Sequence, residues 1–194
     1  LVYFKNPVSN HRSIRWERTI PEISLNRGSF IRVFFADFNM DGKVEVVAAN
    51  KGGENPKITN APLNNISIYQ LPKEPLEGDK WEELILTKVR IPINSQPIDL
   101  DEDGDMDVIL PQYFLGAALV WLENPSSTTA TWTEHVINDN TGRGFDVIMS
   151  DMNNDGYEDI VYVNHNHQLA TAPDEQTMGV YWFEIPPPET LDGL

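Results

Sequence analysis

Short apolar runs separated by polar turns organise this chain, and no long segment repeats its apolar residues with a period of 3.6. Apolar runs cover 31–36, 91–98 (the weaker of the set) and 145–149. A second series covers 44–49, 108–110 and 160–163. Both are rich in Val, Ile and Phe and almost continuously apolar, as expected of strands buried on both faces. A third series is aromatic and ends in proline: 2–7, 67–72, 120–125 and 181–186. Trp16, Trp81 and Trp132 open a further short strand in each unit, each followed four residues later by Ile20, Ile85 or Val136. Polar stretches at 51–65 and 164–178 read as surface loops.

These markers keep register, so the chain is an internal repeat of four-stranded units. Such units are expected to form the blades of an all-β propeller, each blade four antiparallel strands. Counted from the Trp strand, the expected blades are 16–72, 81–125 and 132–186. Residues 1–15 hold the last strand of a preceding blade and a linker, and 187–194 a tail. About three blades make an arc of a larger ring, with seven blades the expected total. An arc exposes apolar faces at both ends, so the remaining blades are expected from the same longer chain or from another copy. The chain opens on Leu1, which reads as a processed or partial chain.

Between the first and second series of runs lies an acidic segment, repeated three times. The first copy offers Asp37, Asn39, Asp41, Lys43 and Glu45. The second offers Asp99, Asp101, Asp103, Asp105 and Asp107, and the third Asp151, Asn153, Asp155, Tyr157 and Asp159. The starts are 62 and 52 residues apart. Oxygen-bearing side chains stand at positions 1, 3, 5 and 9, and Gly42, Gly104 or Gly156 at position 6 permits a tight turn. Position 7 tolerates Lys, Asp and Tyr, as a backbone carbonyl ligand would allow. Calcium takes 6–8 such oxygens, so three calcium ions are expected, one per loop. An EF-hand is excluded: it needs a bidentate Glu at position 12, where this chain has Ala48, Leu110 and Tyr162. Magnesium rarely uses an all-protein cage of this kind.

At these residues the chain resembles the FG-GAP/VCBS repeat family, whose Asp-rich loops lie between propeller strands in integrin α-subunit heads and some fungal lectins. The resemblance implies calcium in each loop. Integrin Phe-Gly and Gly-Ala-Pro signatures are missing, and the segment Trp121-Leu-Glu-Asn-Pro125 looks more like microbial and fungal members. The implied function is a calcium-stabilised extracellular or secreted module that binds a glycan or protein. The alternative is the propeller part of a carbohydrate-active enzyme, a polysaccharide lyase or a sugar dehydratase. His165, His167, Arg143 and Tyr162 are the candidates for its chemistry.

Composition narrows the partners. Thirty acids against 14 bases give a formal charge of −16, which repels nucleic acid and anionic membrane. No apolar run reaches membrane-spanning length. Thirteen of the acids lie in the three loops, and clustered carboxylates call for a cation or open solvent. With no cysteine, another staple must serve an oxidising compartment, and calcium at ~10⁻⁴–10⁻³ M affinity would suffice outside cells. Asn65-Ile-Ser67 forms an N-glycosylation sequon at the end of an expected loop. The Trp residues read as core.

Overall fold

The computed structural model describes residues 1–53, 61–112, 119–126, 131–164 and 179–185. Thirteen strands are described: β1 (Tyr3–Lys5), β2 (Glu17–Thr19), β3 (Ser29–Ala36), β4 (Glu45–Gly52), β5 (Leu63–Gln70), β6 (Glu82–Arg90), β7 (Gln96–Ile98), β8 (Asp107–Pro111), β9 (Leu119–Glu123), β10 (Thr133–Asn138), β11 (Gly144–Ser150), β12 (Asp159–Asn164) and β13 (Val180–Phe183). All described pairings are antiparallel and join strands adjacent in sequence. They form four sheets: β1-β2, β3-β4-β5-β6, β7-β8-β9-β10 and β11-β12-β13. The all-β expectation holds.

The sheets are offset from the expected blade limits of 16–72, 81–125 and 132–186. Each Trp strand pairs backwards, with the aromatic strand before it: β2 with β1, β6 with β5, β10 with β9. It is thus the fourth strand of one sheet rather than the first of the next. The complete sheets run from Ser29 to Arg90 and from Gln96 to Asn138. Loop length does not explain this pairing, since 71–81 separates β5 from β6 whereas only 91–95 separates β6 from β7. One strand is also much shorter than expected. Of 91–98, only Gln96–Ile98 pairs, because Pro92 lacks an amide donor and Ile91 has a φ of +50°, which a β-branched residue rarely adopts.

Face-to-face packing of successive sheets follows from strand alternation. In β4, Val46 and Ala48 join Tyr69 and Trp81 beneath Tyr3 of the first sheet. Val47 and Ala49 point the other way, to Val108, Leu110, Val120 and Leu122 of the third. Ile109 and Trp121 then meet Val147, Ile160 and Tyr162 of the last sheet. Most of these side chains are fully buried, each contributing about 1.5–3 kcal/mol from area burial. One polar tie crosses three sheets. Arg32 of β3 and Asn94, just before β7, both donate to Asp146 of β11, Asn94 at 2.7 Å.

Candidate metal centre

All three acidic loops join the first strand of a sheet to its second, so each occupies the equivalent edge of its own sheet. Their geometry repeats closely. The position-1 carboxylate accepts from the amides of positions 5 and 6: Asp37 from Asp41 (3.1 Å) and Gly42 (2.8 Å), Asp151 from Asp155 (3.2 Å) and Gly156 (3.0 Å). Asp99 accepts from Gly104 at 3.2 Å. The position-3 oxygen accepts from the position-5 amide, at 3.0 Å for Asn39, 3.3 Å for Asp101 and 3.0 Å for Asn153. The position-5 carboxylate accepts from the position-7 amide: Asp41 from Lys43, Asp103 from Asp105 and Asp155 from Tyr157, all at 2.9–3.0 Å. Such a wrap needs left-handed backbone at position 6, supplied by Gly42 (φ +82°), Gly104 (+99°) and Gly156 (+98°), and again at Met40, Glu102 and Asn154. Side chains that cap amides on one lone pair keep other lone pairs for a cation.

Position 9 does something the spacing did not reveal. Glu45, Asp107 and Asp159 each open the second strand of a sheet, and all are buried. Each accepts from the position-2 amide of its own loop: Phe38 (3.0 Å), Leu100 (3.1 Å) and Met152 (2.9 Å). Asp107 also accepts from the amide of Asn124 (2.7 Å), and Asp159 from that of Ile185 (3.3 Å). The ninth residue therefore buckles each loop to its strand, and Asp107 and Asp159 also buckle theirs to the end of the aromatic strand. Asn124 goes further. Its side-chain amide donates to the Phe38 carbonyl of the first loop (2.9 Å) and the Met106 carbonyl of the second (3.0 Å), stitching two sheets together. The Asn-Pro ending shared by two of the four aromatic strands, Asn6-Pro7 and Asn124-Pro125, was the available sequence signal.

In the second loop, Asp99, Asp101 and Asp103 bring one carboxylate oxygen each within 4.8 Å of one another, a set that could hold a metal ion. Asp99 Oδ1 and Asp105 Oδ1 are buried without a hydrogen-bond partner. Burial raises the carboxyl of Asp101, helped by the charge of Asp103, and burial likewise raises Asp105. Burial pushes Asp107 up to about 7, against the pull of the Asn124 and Leu100 amides. Glu45 in the first loop is also raised, again by burial. Crowded oxygen anions with unsatisfied lone pairs fit a hard, oxygen-seeking cation. Asp105 is more than the backbone ligand expected at position 7. Its side chain is only 2% exposed and accepts from the Ser126 hydroxyl, which also reaches Asp103 at 3.3 Å.

Other candidates part company with the sequence reading. Tyr162, proposed for catalysis, lies fully buried in the core, its hydroxyl 3.3 Å from the Gly142 carbonyl that accepts from it. Burial raises it to about 12. Arg143 is half-buried in the turn before β11. His165 and His167 lie outside the described residues. Asn65 and Ser67 sit inside β5 rather than in a loop, and both donate to Glu83 Oε1, at 3.2 and 2.7 Å. Arg27 (2.5 Å) and the Tyr69 hydroxyl (3.3 Å) donate to the same oxygen. Although burial opposes it, this ring of donors, Arg27 first, holds Glu83 below its usual value. The sequon side chains are thus engaged in a structural node. Trp81 and Trp121 are buried as expected, whereas Trp16 and Trp182, at the two ends of the stack, are exposed.

Stacked antiparallel sheets, three of them with an Asp-rich loop between their first and second strands, define a β-propeller-like module. Residues 99–162 match the profile of the FG-GAP-like repeat family. That match spans the second acidic loop, strands β8 to β11 and the third loop into β12. A search of curated proteins finds no match to the chain.

Proposed function

We propose that this chain is a calcium-stabilised, extracellular β-propeller module that holds three calcium ions and presents its sheet stack to a glycan or protein ligand. The observation carrying the reading is the convergence of Asp99, Asp101 and Asp103, with buried oxygens of Asp99 and Asp105 left without partners. The other two loops repeat the same backbone wrap, which extends the proposal from one ion to three. When bound, calcium neutralises the crowded carboxylates and locks each loop. The chain's own residues do the rest: position 9 fastens the loop to its sheet, and Asn124 fastens one sheet to the next. Calcium outside cells is concentrated enough to fill sites of ~10⁻⁴–10⁻³ M affinity, which supports an extracellular setting.

Isothermal titration of the chelator-stripped chain tests the ion count, with a stoichiometry of three expected. No calcium heat, together with no effect of calcium on melting, would remove the reading. A glycan array on the loaded chain then tests the ligand class.

A further inference from the structure

Among the described residues, the first and last sheets of the stack each carry exposed apolar side chains on their outer face, and the two faces differ in chemistry. At the N-terminal end, Val33 and Phe35 of β3 share the face of β4 that carries Val46 and Ala48. The short β1-β2 ribbon covers only part of that face, leaving Phe35 62% and Val33 44% exposed. Between ribbon and sheet lies an apolar cleft of about 380 Å³ lined by Leu1, Tyr3, Phe30, Val33, Phe35 and Trp81, among others. On the ribbon, Tyr3 packs inward on Trp81. Its neighbour Phe4, opposite Arg18 in the register, therefore faces outward and is 52% exposed.

The C-terminal end is also apolar. In the last sheet Val147, Ile160, Tyr162, Tyr181 and Phe183 point into the core. The alternate residues form the other face: Ile148 opposite Val161, Val161 opposite Trp182, and Val163 opposite Val180. Of these, Ile148 is 58%, Trp182 50% and Val180 72% exposed.

Charge says what each end prefers. Residues 1–32 hold six Lys or Arg against two acids, in a chain of net −16. Arg27 and Arg32 pair within the chain, with Glu83 and Asp146, while Arg12, Arg15 and Arg18 stand exposed. From Gly144 to the end there are ten acids and no Lys or Arg. Asp155, Glu158 and Glu184 are exposed there. One calcium in the third loop would remove two of those charges and leave the sign unchanged. Pairing two N-terminal ends would set base against base, and pairing two C-terminal ends acid against acid, both disfavoured.

We infer that the two ends bind each other between molecules: the Ile148/Val180/Trp182 face of one copy seats against the Phe4/Val33/Phe35 surface of a second. This interface is heterologous, so it builds dimers with free ends, then longer arrays or a closed ring. It does not rest on the calcium reading.

Light scattering on the calcium-loaded chain tests it. The mass should climb with concentration from 22.0 kDa to at least twice that. Raising salt from about 50 to about 500 mM should weaken association several-fold by screening. Phe35→Asp and Trp182→Glu, both at exposed positions, should each lower association at least about tenfold. Unchanged thermal melting verifies the fold of each variant, and Val33→Asp and Ile148→Asp substitute for either that fails. Mixing the two variants is the decisive step. Each retains one good end, so the mixture should form a one-to-one dimer and nothing larger. A mass fixed at 22.0 kDa at every concentration overturns the inference. So does a single-face variant that still self-associates, or a mixture that stays monomeric while the unaltered chain associates.

Discussion

The first and second acidic loops share one backbone wrap and differ in charge balance. In the loop at 37–45, position 7 is Lys43, whose ammonium sits 2.9 Å from Asp41 in an exposed ion pair. That contact holds Asp41 below its usual value, and Lys43 is raised in return. In the loop at 99–107 the same position is Asp105, buried, with one oxygen on Ser126 and the other without a partner. One loop carries a cation of its own; the other adds an anion. Amide capping alone therefore shapes the loop, while the residue at position 7 sets how much the loop gains from an added cation. This comparison ranks the second loop as the tightest site and the first as the weakest.

The largest expected effect is on calcium-linked stability. A site filled at a hundredfold excess over its Kd contributes about 2.7 kcal/mol, roughly 5–10 °C of melting temperature for a domain of this size. Asp103→Ala should abolish that increment for the second loop in melts with and without chelator. Asp41→Ala should remove visibly less, because Lys43 already offsets that carboxylate. Equal losses would end the ranking.

Next comes pH. Asp107 titrates at about 7 in the fold, against an ordinary value of 3.8. A carboxyl raised by burial favours the folded state when protonated, so its contribution is full below pH 3.8 and is lost as pH rises through 7. The chelated chain should therefore melt higher at pH 5 than at pH 7.5. With calcium present the order should reverse, since the ion needs the carboxylates ionised. The same ordering in both conditions would show that the second loop holds no ion.

A smaller effect isolates Ser126. Ser126→Ala removes the donor to Asp105 and should cost about 1–3 kcal/mol in the chelated chain, with less loss once calcium is bound. The first loop should be untouched, as read from its own calcium affinity. Smallest is Lys43→Ala, which makes the first loop more like the second. Its calcium affinity should rise several-fold in titration, and an unchanged affinity would show that the lysine is a bystander.

The strand series, the loops and the aromatic-proline register were all visible in the residues, because each is a local property of spacing and side-chain type. Sheet membership was not. A repeat has no marked origin, so Trp81 could as well open a unit as close one, and only the pairing of Ser67 with Ile85 and Ile68 with Leu84 decides it. Position 9 was read as a ligand because its type suits one. Its bonds to Phe38, Leu100 and Met152 depend on how the chain folds back. Asp105 looked indifferent beside Lys43 and Tyr157, and its hydrogen-bond partner Ser126 lies 21 residues away. Asn65 was expected at the end of a loop and lies inside β5, because a triplet carries no information about the Glu83 carboxylate across the strand pair.

Asn124 ties these parts into a single unfolding unit. Its backbone amide holds Asp107 and its side chain holds the carbonyls of Phe38 and Met106, so the first loop cannot peel away without releasing the second. In a linear stack each repeat ordinarily opens on its own terms, with neighbour contacts as the only coupling. A side chain that bonds to two repeats strengthens that coupling at one junction. Sheets β3–β6 and β7–β10 should then exchange their amide hydrogens as one cooperative block, while the last sheet opens earlier. Calcium added to either of the first two loops would slow exchange in both.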